Sequence, residues 1–135
     1  MKSYPLMIRE SHIDTFGHVN NASYLQMMEE ARWQMITEGG YGLDKVRETQ
    51  QGPVILEVNL KFLHELQLRE KINIQTELIE YRGKIGKLRQ TVVKENNQLA
   101  ADATFVFGLF DLKIRKLIDP TAAWKLATSS IRRNT

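Results

Sequence analysis

The chain has no cysteine and only three prolines in 135 residues. Without thiols there is no disulfide framework and no thiolate, either as nucleophile or as metal ligand. That usage suits a reducing compartment. Long apolar runs are missing too. No stretch approaches the ~18 consecutive apolar residues of a membrane span. The opening MKSYPLMIRESHID carries one lysine and then a pattern broken by charge, unlike the apolar core of a secretory signal. A soluble, cytoplasmic protein without membrane association is expected. Neither sign of charge dominates, since 19 Lys and Arg against 16 Asp and Glu leave +3. That excess is too mild to argue for nucleic acid, although it favours anionic ligands. His12, His18 and His64 make no convincing ligand set, so no metal is expected.

What is present is a composition of 42% hydrophobic and 26% charged residues, which matches an ordinary globular protein. The length suits one domain spanning residues 1–135, with a basic, flexible tail expected over about 129–135. Five segments alternate with period two. In YPLMIRESHI, Tyr4, Leu6 and Ile8 oppose Pro5, Met7 and Arg9. VILEVNLKFLHEL places Val54, Leu56, Val58, Leu60, Phe62, His64 and Leu66 on one face, with Glu57, Asn59, Lys61 and Glu65 opposite. KINIQTELIEY and KLRQTVVKEN flank RGKIG, where Gly83 and Gly86 permit a tight or bulged hairpin. LAADATFVFGLFDL follows a turn at Asn96-Asn97. Short turns between the last four strands predict an antiparallel meander.

One long helix is predicted from Ala22 to about Thr37, free of glycine and proline. Tyr24, Met28, Ala31 and Met35 share a face, flanked by Leu25, Met27 and Ile36. A stripe this wide suggests a helix wrapped by a sheet. Asn20 or Asn21 supplies an N-cap and Gly39-Gly40 a stop. PTAAWKLA is a weaker helical piece near the end. The order of strand, long helix and four strands predicts an α+β hot-dog architecture: one helix in a curved antiparallel sheet of about five strands.

Asp14 lies in the loop before that helix, next to a backbone freed by Gly17. A helix start offers unpaired N–H groups and a positive dipole end, which can hold a developing oxyanion. A nearby carboxylate can attack a carbonyl carbon or activate water. Together these suffice to hydrolyse an activated acyl group such as a thioester. A plainer assignment uses the same residues, because Asp before Gly is a common turn residue and Asn a common cap. Composition alone favours the plainer one.

The stretch DTFGHVNNASYLQMMEEARW resembles the signature of hot-dog acyl-CoA thioesterases of the 4-hydroxybenzoyl-CoA thioesterase-like superfamily, most closely the long-chain acyl-CoA thioesterase (FadM-type) branch. The YRGKIGKL hairpin and the closing ADATFVFGLFDLKIRKL extend the resemblance over nearly the whole chain. It implies a catalytic role for Asp14, as nucleophile or general base, and for the Asn21 backbone N–H in polarising the thioester carbonyl. His18 would shape the loop or position water. Gly17 would let substrate approach, and Tyr24 would pack or touch it. Arg82 and Lys84 would meet the CoA phosphates, although a solvated charged hairpin accounts for them as well. Glu30 is expected to pair with polar neighbours. Met27, Met28 and Met35 are candidate linings for an acyl slot or plain core. Arg69-Glu70 departs from the Gly-Asp that opens the third strand in many relatives, which questions the turn there. The implied function is hydrolysis of an acyl-CoA to acid and CoA, without a cofactor since CoA belongs to the substrate. The implied assembly is a homodimer or homotetramer. A non-catalytic acyl-CoA sensor and a hydroxyacyl-thioester dehydratase are the alternatives.

Overall fold

Helix α1, Asn21–Glu38, is the long element around which the rest is arranged. Its residues are mostly good helix formers. Asn20 caps it by accepting from the Ala22 N–H at 2.8 Å, and Gly39 ends it. Tyr24, Met27, Met28, Ala31, Met35 and Ile36 are buried, as the stripe predicts, while Leu25 is exposed. The structure, a computed structural model, describes residues 1–131.

Six strands form one antiparallel sheet: β1 (Lys2–Met7), β2 (Gln51–Phe62), β3 (Lys71–Arg82), β4 (Ile85–Lys94), β5 (Leu99–Asp111) and the short β6 (Lys116–Ile118). Helix α2 (Leu43–Thr49) was not anticipated, since its LDKVRET is too short to show a helical period. Helix α3 (Ala122–Ser129) is the weaker piece foreseen near the end. None of the described helices is long and apolar enough to cross a membrane.

The strand order is β1-β3-β4-β5-β2, with β6 paired to β5. The expected meander therefore holds only for β3 to β5. Residues 63–70 separate β2 from β3, too many for the tight turn of a neighbouring hairpin, and they carry the chain across the sheet. Strand β2 pairs with β5 instead, and β1 takes the edge of β3. The alternation in β2 also changes phase. Pairing steps from Ile55↔Phe107 to Glu57↔Val106, so Leu56 sits in a bulge. Val54 and Leu56 thus leave the expected face. Ile55, Val58, Leu60 and Phe62 form the row opposite Phe107, Phe105, Ala103 and Ala101.

The helix is tied to the sheet by a buried amide. Gln90 of β4 donates to the Met28 carbonyl at 3.0 Å and to the Thr76 hydroxyl at 2.9 Å. At the other end of α1, a Cβ on Gly39 would come within 2.9 Å of Ala127 Cα, so α3 packs where a side chain is missing. Trp124 of α3 donates to the Tyr81 hydroxyl at 3.0 Å. Ser129 closes α3, and Ile131 is buried with its carbonyl accepting from the Leu78 N–H. Packed structure thus runs to residue 131. The remainder of the expected tail, 132–135, lies outside the described residues. Arg69 adopts φ +69°, a left-handed conformation that glycine takes without strain, so the turn questioned at Arg69-Glu70 forms with a non-glycine residue. Ion pairs from Arg69 to Glu10 (2.9 Å) and from Lys94 to Glu70 (3.0 Å) hold the turn.

Candidate active site

The loop before α1 is a small hairpin in which Ile13 bridges Val19. The Asp14 N–H donates to the His18 carbonyl at 2.9 Å, and Gly17 turns the chain at φ +80°. Asp14 Oδ1 accepts from the N–H groups of Phe16 (2.9 Å) and, more weakly, His18 (3.4 Å). This is the turn role that aspartate commonly plays. It uses one oxygen. Among the described residues Oδ2 has no partner.

Asn20 is the cap, and Asn21 is the first helical residue. The cap's side chain takes the Ala22 N–H, and its carbonyl takes that of Ser23 at 2.9 Å. The Asn21 N–H is left with no acceptor among the described residues. It therefore stands as an unpaired donor at the positive end of the helix dipole.

A hollow of about 230 Å³ opens at this point. His18, Val19, Asn21 and Tyr24 line it from the loop and helix, and residues 62–66 close it from the end of β2. The Tyr24 ring meets Phe62 edge-on at 5.1 Å. Burial, helped by Glu70 and Glu65, pushes the Tyr24 phenol up from its ordinary value, so it stays neutral. His18 Nε2 lies 3.4 Å from Glu65 Oε1, an ion pair whenever the imidazole is protonated. His64 lines the same hollow, although the strand pattern suggested that it was remote from His18. No cluster suited to a metal occurs among the described residues.

Of the residues singled out in the sequence, His18, Asn21 and Tyr24 meet at the hollow. Asp14 and Gly17 share its hairpin without being among the lining residues. Arg82 and Lys84 sit apart at the β3–β4 turn, where Arg82 pairs with Glu80 at 3.2 Å. Farther along β4, Arg89 makes a two-point contact with Asp102 at 3.0 and 2.8 Å. Those hydrogen bonds hold the Asp102 carboxyl below its usual range. Glu30 accepts from the Tyr4 hydroxyl at 2.8 Å, the polar pairing foreseen for it.

A second cavity, about 360 Å³, lies beside the C-terminal half of α1. Trp33, Ile55, Phe107 and Trp124 give it apolar walls, and Glu29 and Arg32 border it. All three methionines are in the core, and of them only Met35 also lines this cavity. The Arg32 guanidinium lies 4.4 Å over the Phe105 ring and donates to Gln90 Oε1 at 3.0 Å. Burial lowers its pKa to about 10. Sequence reasoning gave Arg32 no role. Its signal was the spacing of four that aligns it with buried Met28 and Ile36.

Residues 8–127 match the family model of the thioesterase-like superfamily. The chain is 32% identical over 114 residues to the long-chain acyl-CoA thioesterase FadM of Escherichia coli K12, covering 84% of this chain and 86% of FadM. The crystal structure of YbaW from Escherichia coli superposes with a TM-score of 0.83 at 26% identity, covering 97% of this chain and 98% of YbaW. SAV2348 of Staphylococcus aureus, solved in complex with CoA, superposes with a TM-score of 0.90 over 98% of this chain and 86% of its own. At 16% identity that match speaks for the fold. The chain belongs to the thioesterase-like superfamily and has the hot-dog fold.

Proposed function

We propose that the protein hydrolyses acyl-CoA thioesters to the free acid and CoA, with Asp14 as nucleophile or general base and the Asn21 N–H as the oxyanion donor. Support comes first from the family, in which FadM is a long-chain acyl-CoA thioesterase and YbgC an acyl-CoA thioester hydrolase. The observation that carries the residue assignment is a pair of unpartnered groups at the loop–helix junction: Asp14 Oδ2 and the Asn21 N–H both lack partners among the described residues. As a base, Asp14 takes a proton from water as the hydroxide adds to the carbonyl carbon. The C–S bond then breaks with its electron pair going to sulfur, and the proton held on Asp14 passes to the thiolate. As a nucleophile, Asp14 Oδ2 adds to the carbonyl carbon and the C–S bond breaks with its electron pair leaving on the CoA thiolate. Water then hydrolyses the resulting acyl anhydride to the acid, regenerating the Asp14 carboxylate and supplying the proton that the thiolate takes up. Either way the oxyanion is met by a donor at a helix start. The scheme needs no cofactor, because a thiolate leaves readily.

Thiol release from acyl-CoAs tests this reading. Asp14→Asn should lower kcat by about 10²–10⁴-fold while the protein stays folded. A folded Asp14→Asn protein with unchanged turnover would end the assignment. A second reading gives the carboxylate role to Glu29, since Glu29 borders the larger cavity and Asp14 lines neither. In that case Glu29→Gln, and not Asp14→Asn, would abolish turnover. Tight acyl-CoA binding without thiol release would favour a sensor, and formation of an enoyl thioester a dehydratase.

The reading includes a homodimer joined at β2. This strand is one of the two ends of the sheet order, and Ile55, Val58 and Phe62 are exposed along it. A strand at the end of a sheet has unpaired backbone groups, and with exposed apolar side chains beside them it invites pairing. Sedimentation should give twice the chain mass, and Val58→Asp should shift the protein toward monomer. A wild-type monomer at high concentration would dismiss the dimer.

A further inference from the structure

Arg32 carries a charge that the described residues do not neutralise. Its guanidinium is stacked over Phe105 and held through Nη1 by Gln90 Oε1 at 3.0 Å. Gln90 is itself fully buried and anchored to the Met28 carbonyl and the Thr76 hydroxyl. The guanidinium is thus fixed in place. No carboxylate among the described residues reaches ion-pair distance of it. Glu29 is near enough to favour the charged form, but it is exposed and does not make the pair. Nε and Nη2 have no acceptor among the described residues. Those two nitrogens make the planar fork that matches both oxygens of a carboxylate.

A half-buried cation without a counter-charge loses part of its hydration, and an anion that completes it recovers that loss. The cavity it borders, about 360 Å³, is within the range of small-molecule sites. Its walls of Trp33, Ile55, Phe107 and Trp124 suit methylenes or a ring, not a bare inorganic anion. The fitting ligand has an apolar body and an anionic end. Along α1, Arg32 stands ~16 Å from Asn21 at 1.5 Å per residue. The Arg32 side chain runs back along the helix to Gln90, which is anchored at Met28, and the shortened span suits an extended medium-chain acyl group.

We infer that this cavity receives the acyl group and that Arg32 binds a carboxylate at its far end, so that dicarboxylic acyl-CoAs are the favoured substrates. The inference rests on the acyl-CoA reading above, and its test has one arm that does not need turnover. In the first arm, calorimetry compares octanoate with octanamide on the wild-type protein and on Arg32→Met. Octanoate should bind at least about tenfold more tightly than octanamide, and Arg32→Met should erase the difference. Arg32→Lys, which keeps the charge without the fork, should fall between them. In the second arm, thiol release is compared for octanedioyl-CoA against octanoyl-CoA and for decanedioyl-CoA against decanoyl-CoA. The wild-type protein should favour the dicarboxylic ester about tenfold in kcat/KM. Arg32→Met should reverse that preference. Equal binding of octanoate and octanamide by the wild-type protein overturns the inference, whether or not Arg32→Met folds. So does a dicarboxylic preference that survives in Arg32→Met. Absence of thiol release from every ester, with the octanoate preference intact and lost in Arg32→Met, would reject the hydrolase reading and keep Arg32 as a carboxylate site.

Discussion

At its first turn α1 borders a hollow of about 230 Å³ edged by His18, Asn21 and Glu65, while beside its C-terminal half lies a cavity of about 360 Å³ walled by tryptophan and phenylalanine. The first presents one unpaired backbone donor, the Asn21 N–H, and exposed titratable groups. The second presents apolar surface and a single stacked guanidinium. The difference follows from what a helix offers along its length. Unpaired amides exist only in the first turn, so reactive polarity gathers there. Farther along, every backbone N–H is tied up within the helix, and only side chains can donate to a ligand. A thioester substrate needs both kinds of surface, one for the carbonyl and one for the acyl body.

That contrast can be broken from the cavity side first. Gln90→Ala removes the acceptor that holds Arg32 and leaves Thr76 without its donor. It should cost about 3 kcal/mol or more by chemical denaturation, from unsatisfied polar groups together with the void. A loss below ~1 kcal/mol would mean that Gln90 does not anchor the guanidinium. From the other side, Asn20→Ala removes the cap that orders the amides at the start of α1. It should cost about 1 kcal/mol of stability. It should also lower kcat more than it changes octanoate affinity, because it disturbs the hollow and not the cavity. Equal damage to both would show that the two sites act as one. The smallest effect belongs to the β3–β4 turn. Arg82→Ala should raise KM a few-fold for CoA esters and barely change it for pantetheine analogues, since an exposed cation contributes little. Equal effects on both would remove Arg82 from the phosphate site.

The stripe of Tyr24, Met28, Ala31 and Met35 announced a wrapped helix, and the burial of all four follows directly from their spacing. The turn at Gly83, where Arg82 faces Ile85, was equally plain, because glycine readily takes positive φ. Strand β2 was less legible. Its alternation was visible, but one bulged residue at Leu56 exchanged the faces, and no local signal marks such a slip. His64 was missed as a neighbour of His18 for a related reason. The pattern continued past Phe62, whereas the chain turns there and folds back against the start of α1.

The sequence by itself determined the elements, the cap at Asn20, the turn at Asp14 and Gly17, and the family, since propensity, periodicity and motif are properties of short neighbouring stretches. Tertiary structure alone decided that β2 lies against β5, that Phe62 and His64 reach the helix start, and that Arg32 is half-buried with no carboxylate among the described residues to neutralise it. Pairing and burial depend on which distant segments compete for the same edge or face, and that competition is settled only when the whole chain has packed.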